Sequence, residues 1–152
     1  MCGIVGYSST GFRAAHVLLH GLQTLEYRGY DSSGAAFFTA RGVEIIKSKG
    51  TVSQLQKRLE QCSIRSSCGI AHTRWATHGA PDERNAHPHR QGSVTLVHNG
   101  IIENHALLAK ELEAKGYRFH TQTDSEVACA CIDEAYQRLK DPLRALQCAQ
   151  TR

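Results

Sequence analysis

The first chemical signal is at the start of the chain, which reads Met1-Cys2-Gly3-Ile4-Val5-Gly6. Once the initiator Met1 is removed, the thiol and the free α-amine of Cys2 share one carbon skeleton. A reference thiol titrates near ~8.5 and a reference α-amine near ~7.7–8.0, so at neutral pH the amine can take the thiol proton. That is a nucleophile carrying its own base. Gly3 has no side chain and leaves room for a substrate beside the sulfur, while Ile4 and Val5 read as a buried strand holding the terminus still. Taken alone, the same residues also describe an ordinary buried cysteine opening an edge strand.

Four further groups bear on the choice. Arg74 ends a predicted strand in a loop shared with Thr73, Trp75, Thr77 and His78. A guanidinium grips a carboxylate with two parallel hydrogen bonds, which lysine cannot imitate, and the hydroxyls of Thr73 and Thr77 can complete such a clamp. The alternative is a surface loop with a solvated Arg74. Asn99-Gly100 follows an apolar strand. It signals a tight hairpin turn, and the Asn amide and Gly N–H can also point together at a developing oxyanion. Asp124 opens a helix, where a carboxylate suits the dipole and cap, but it is also able to hold a substrate ammonium. His87-Pro88-His89, with His72, His78 and His98, raises a metal site. The proline breaks regular presentation and no thiol or carboxylate stands at ligand spacing, so no metal is expected; His78 and His87 are candidates to line a polar site. A thiol nucleophile, a carboxylate clamp, an ammonium clamp, an oxyanion pair and one large aromatic together fit an α-amino acid with a side-chain amide, which is glutamine.

The elements that must position these groups follow from periodicity. Phe12 to Glu26 carries apolar Ala15, Leu18, Leu19, Leu22 and Leu25 at helical spacing. Residues 28–34 read as a loop, and Ala35–Thr39 and Val43–Lys47 as strands of a hairpin turning at Arg41-Gly42. Val52, Leu55 and Leu59 mark a short helix that Thr51 or Ser53 can cap. Cys68–Ala71 and Val94–Val97 read as strands, with residues 81–90 as loop. A helix from about Asn104 stops at Gly116 as its C′ residue. Thr123-Asp124-Ser125-Glu126 has the capping-box form, and Asp141-Pro142 reads as N-cap and N1 of a last helix. Hairpins and short strands separated by helices predict an α+β layered sandwich of antiparallel sheets rather than a parallel sheet.

Composition narrows the function classes. The chain has 152 residues, enough for a core, with 41% hydrophobic and 21% charged residues, which argues against disorder. Its net charge of +4 is spread without a basic run, so no nucleic-acid face is expected. Cysteines at 2, 62, 68, 129, 131 and 148 show no C-x-x-C spacing, which fits reduced thiols in a cytoplasmic protein better than disulfides or zinc. No signal peptide and no membrane span are predicted.

The motifs together carry a resemblance. The residues are Met1–Gly6, Leu25-Glu26-Tyr27-Arg28-Gly29-Tyr30-Asp31-Ser32, His72 to Gly79, Asn85-Ala86-His87-Pro88-His89, Val97 to Asn104, and Thr123 to Val127. The chain resembles the class II glutamine amidotransferases, whose glutaminase domain has the N-terminal nucleophile hydrolase fold. Within them it is most similar to the branch that aminates a sugar phosphate to glucosamine 6-phosphate. The phosphoribosyl-diphosphate branch shares the general pattern but differs around Tyr27–Tyr30 and Arg74–His78. The likeness covers about the first 127 residues, and no motif residue is substituted.

The resemblance implies an αββα sandwich of two antiparallel sheets between helix layers. It also implies roles. Cys2 is the nucleophile and its α-amine the base, with Asn99 and Gly100 forming the oxyanion hole. Arg74 binds the glutamine α-carboxylate beside Thr77 and His78, and Asp124 binds the α-ammonium. Trp75 belongs to the loop that closes over glutamine. No cofactor is implied. The family's glutaminase domain continues past this length and is followed by sugar isomerase domains, so residues 1–152 are expected to be an incomplete glutaminase domain. The expected partners are L-glutamine and those absent domains, with homo-oligomers expected only of the full-length enzyme. The competing readings are an inactive fragment serving as a binding or regulatory module, and the glutaminase domain of another class II amidotransferase.

Overall fold

The computed structural model describes residues 2–75 and 79–152. They form two compact units, one running to Pro88 and including Val97–Asn99, the other comprising His89–Leu96 and Gly100–Arg152.

The first unit is built on a four-stranded antiparallel sheet. Its strands are β1 (Gly3–Ser8), β2 (Ser32–Thr39), β3 (Gly42–Lys49) and β4 (Cys68–Arg74), in the order β1-β4-β2-β3. Two helices, α1 (Ala14–Leu25) and α2 (Val52–Glu60), cover one face. Leu18 and Leu22 of α1 and Val52, Leu55 and Leu59 of α2 meet Ala35 and Phe37 of β2 and Ala71 of β4 in one cluster. Strand side chains alternate, so His72 and Arg74 take the face of β4 opposite the helices. The predicted hairpin is present, with Thr39 paired to Gly42 (φ 104°).

Two boundaries differ from expectation. β2 begins at Ser32, inside the predicted loop, and β4 runs on through His72, Thr73 and Arg74. Thr51 takes the N-cap position of α2 as expected, but its side chain makes no capping bond. The Thr51 and Ser53 hydroxyls bond each other at 2.8 Å, and the Glu26 carboxylate, from the 3₁₀ turn after α1, accepts from the Val52 N–H at 2.6 Å. A carboxylate suits the positive end of the helix better than a neutral hydroxyl.

The second unit contains the hairpin β5 (His89–Gln91) and β6 (Val94–Leu96) and the helices α3 (His105–Ala114), α4 (Asp124–Leu139) and α5 (Pro142–Gln150). β5 falls at the end of the expected 81–90 loop. The predicted helix ends hold. Tyr117 N–H reaches Leu112 O, and Gly116 N–H reaches Glu113 O with Gly116 at φ 94°, closing α3 in a Schellman motif. Asp141 caps α5 through Arg144 N–H with Pro142 in the first turn. α4 is buried on two sides. Cys131 packs with Leu108 and Leu112 of α3, while the Cys129 thiol donates to Val94 O at 3.4 Å on β6. No described helix is long and apolar enough to cross a membrane.

Candidate active site

Cys2 immediately precedes the edge strand β1. Gly3 pairs with Thr73, so the antiparallel register carries Cys2 to the end of β4. Its Sγ accepts from the Trp75 N–H at 3.4 Å and lies 3.8 Å from the Trp75 carbonyl oxygen. Thr73 Oγ1 accepts from the Gly3 N–H at 3.1 Å. That corrects the expectation that Thr73 helps clamp a carboxylate, because its hydroxyl faces the helix side and anchors the residue after Cys2.

Arg74 is 4% exposed and is the last residue of β4. The solvated surface-loop reading is therefore excluded. Nη1 donates to the Ala80 carbonyl at 3.0 Å, which also accepts from Asn85 Nδ2 at 3.1 Å. The preceding loop backs this strand end closely. A Cβ on Gly29 would lie 2.7 Å from the Arg74 carbonyl carbon and 2.8 Å from Trp75 N, and the Asp31 N–H donates to Arg74 O at 3.1 Å. The Trp75 ring is exposed and meets Tyr30 edge-on at 5.7 Å. The expected pocket residues Thr77 and His78 lie outside the described residues.

Asn99 does not begin a hairpin turn. No strand follows Gly100, and neither Asn99 nor Gly100 is among the residues with positive φ that a type I′ turn needs. The Asn99 amide instead donates from Nδ2 to the Cys2 carbonyl at 3.4 Å. The side chain is therefore within hydrogen-bond reach of Cys2.

In the second unit, Asp124 is buried at the first turn of α4 and the N-cap is Thr123. Asp124 Oδ2 accepts from the Ile102 N–H at 2.8 Å and Oδ1 from Ser125 Oγ at 3.3 Å. The carboxylate thus also ties the start of α4 to the backbone that follows Gly100. The capping box is half closed. Thr123 Oγ1 accepts from Glu126 N–H, but the buried Glu126 carboxylate reaches further back, to the N–H groups of His120 and Thr121 at 3.0 and 2.7 Å.

The His72 and His87 rings stack at 4.1 Å and 14°. Among the described residues no three potential ligands converge. The buried thiols are poor nucleophiles, since burial pushes Cys129 up to about 12 and raises Cys131 as well.

Antiparallel sheets covered by helices, with a cysteine immediately before an edge strand, recur in known amidotransferases. Two solved structures share the fold. The glutamine phosphoribosylpyrophosphate amidotransferase from B. subtilis matches with a TM-score of 0.74 at 24% identity, over 99% of this chain and 32% of that one. A structure described as the allosteric regulatory enzyme of purine biosynthesis matches at 0.76, also at 24% identity, over 99% and 32%. A family model described as a glutamine amidotransferase domain matches residues 72–147, and the chain belongs to that family. Among curated relatives, the glutamine–fructose-6-phosphate aminotransferase (isomerizing) of Thermus thermophilus is 47% identical over 97% of this chain and 25% of its own length. That of Fusobacterium nucleatum is 49% identical over 90% and 23%. The chain thus spans about a quarter of the length of these relatives.

Proposed function

We propose that residues 1–152 are part of a glutaminase domain that hydrolyses L-glutamine to glutamate and ammonia through a Cys2 thioester. In a longer protein the ammonia would pass to sugar isomerase domains and aminate fructose 6-phosphate, giving glucosamine 6-phosphate. The observation that carries this reading is the convergence of the Trp75 N–H on Cys2 Sγ and the Asn99 amide on the Cys2 carbonyl, beside a buried Arg74. The identity to the aminotransferases supports the choice of branch.

The chemistry follows from the groups. With Met1 removed, the Cys2 α-amine takes the thiol proton and the thiolate attacks the glutamine carboxamide carbon. The carbonyl oxygen becomes an oxyanion stabilised by Asn99 Nδ2–H and Gly100 N–H. Collapse breaks the C–N bond, and the proton held by the α-amine leaves with the ammonia. Water then attacks the thioester by the same path in reverse, releasing glutamate and the thiol. Arg74 holds the α-carboxylate with Thr77 and His78, Asp124 holds the α-ammonium, and Trp75 covers the substrate. No cofactor takes part. We place the protein in the cytoplasm, and the full-length enzyme as a homo-oligomer.

The test separates two roles. Arg74→Ala removes a ground-state clamp, so KM for glutamine rises and kcat changes little. Asn99→Ala removes a donor used by the oxyanion, so kcat falls by about 10²–10³-fold. An Asn99→Ala variant altered only in KM contradicts the oxyanion assignment.

A further inference from the structure

Three features of the sheet face opposite the helices have no place in the scheme above. His72 is fully buried in mid-strand, an unusual position for an imidazole. Its ring stacks on that of His87, which reaches the sheet directly across from it. Gly34 is the β2 partner of His72, and a Cβ there would overlap the His87 carbonyl oxygen, so the bare backbone of residue 34 is what admits His87. Both rings also bond the backbone of one residue. His72 Nε2 meets the His98 carbonyl oxygen at 3.0 Å, and the His98 N–H meets His87 Nδ1 at 3.3 Å.

The partners fix the tautomers. A carbonyl only accepts, so His72 carries its proton on Nε2. A backbone N–H only donates, so His87 Nδ1 is a bare lone pair. His87 is therefore held neutral by its partner, and burial holds His72 neutral, outweighing the bond to His98 O and lowering it to about 4. This leaves His72 Nδ1 buried without a hydrogen-bond partner among the described residues. An orphaned buried acceptor is a cost that stable folds avoid and functional sites retain.

We propose that His72 and His87 are a positioning pair, two stacked neutral imidazoles that clamp both sides of the His98 residue and so aim the amide of Asn99. The inference rests on the oxyanion role of Asn99 given above. Asn99 is joined directly to the clamped residue, and its Nδ2 lies 3.4 Å from the Cys2 carbonyl. Neither histidine touches substrate. Their effect travels through one peptide bond, and a displacement of about 1 Å at a catalytic group is worth about 100-fold in rate.

The test uses variants that keep a polar side chain. His72→Gln places an amide nitrogen near the Nε2 position and His87→Asn places an oxygen near the Nδ1 position; both should recover most of the rate. His72→Asn is too short to reach His98 O, and its kcat should fall by about 10–100-fold with KM within twofold. In an Asn99→Ala background His72→Asn should cost nothing more, because the group it aims is gone. Additive losses, or a loss in KM alone, overturn the pair. If Asn99→Ala itself spares kcat, the oxyanion reading fails instead. A second readout stands whether or not the chain turns over glutamine. Imidazole ¹⁵N spectra at pH 7 should show His72 and His87 both as neutral Nε2–H tautomers. An Nδ1–H tautomer or an imidazolium at either position overturns the proposal.

Discussion

Gly3→Ala tests how tightly Cys2, the proposed nucleophile, is tethered. An added Cβ would lie 2.7 Å from Leu25 Cβ and 2.8 Å from Thr73 Oγ1. Ordinary carbon–carbon contact is ~3.5–4.0 Å, so the strand must retreat by about 1 Å. Leu25 Cβ is attached to the backbone at the end of α1 and cannot swing aside. Overpacking of this kind costs about 1–3 kcal/mol, which for a chain of this size lowers Tm by about 2–12 °C. The larger effect falls on chemistry, because the residue displaced is the neighbour of Cys2, and a 1 Å misplacement costs about 100-fold in rate. Gly6→Ala is the control. It lies in the same strand, with nothing within 4 Å of the added Cβ, so Tm and rate should hold. The assay is a thermal melt paired with glutamate release. If Gly3→Ala matches Gly6→Ala in both, β1 does not hold Cys2 in the way described.

Three other outcomes are expected. Burial, with a further push from the Arg74 charge, lowers His72 to about 4 in the fold against an ordinary value of 6.5. The unfolded chain therefore takes up this proton first as pH falls. Stability from this group is complete above about 6.5 and is lost on descending towards 4, by at most about 3 kcal/mol. Urea unfolding at pH 7 and pH 4.5 should show the loss and His72→Gln should shrink it; an unchanged difference refutes the assignment. Gly92→Ala should destabilise by about 2 kcal/mol or more in urea, because Gly92 has φ 52° and an added Cβ would overlap the Asp133 carboxylate that accepts from Ser93 N–H and Tyr117 Oη–H; wild-type stability would contradict this. Under native conditions a maleimide should reach the exposed Cys62 and Cys68 and spare the buried Cys129 and Cys131 until unfolding. Rapid labelling of Cys129 would show that α4 is less well packed than described.

The sequence revealed those parts of the fold whose causes are local. Asp141-Pro142, Thr123 and Gly116 each act within one turn of their own helix, and all three occupy the positions their types require. The hairpin at Arg41-Gly42 is likewise set by adjacent residues. Distant causes were hidden. His72, Thr73 and Arg74 look like a polar loop, yet they are the buried end of a strand, because their partners are Gly3, Ala80 and His98. The Glu26 cap on α2 comes from 26 residues upstream. Asn99-Gly100 has turn chemistry, but its amide is taken by Cys2. Among the candidate site residues, Cys2, Arg74 and Asn99 were legible by type. The histidine pair was not, since only Gly34, a glycine within an otherwise β-forming run, hinted at another segment's close approach.

The most direct test of the central claim is to treat the protein with a glutamine-mimicking diazoketone and locate the adduct by mass spectrometry. The expected product is a chain that begins at Cys2 and carries a single adduct on that sulfur, suppressed by excess glutamine. An adduct on Cys62, Cys68, Cys129, Cys131 or Cys148, or labelling of Cys2 that glutamine does not suppress, would contradict it.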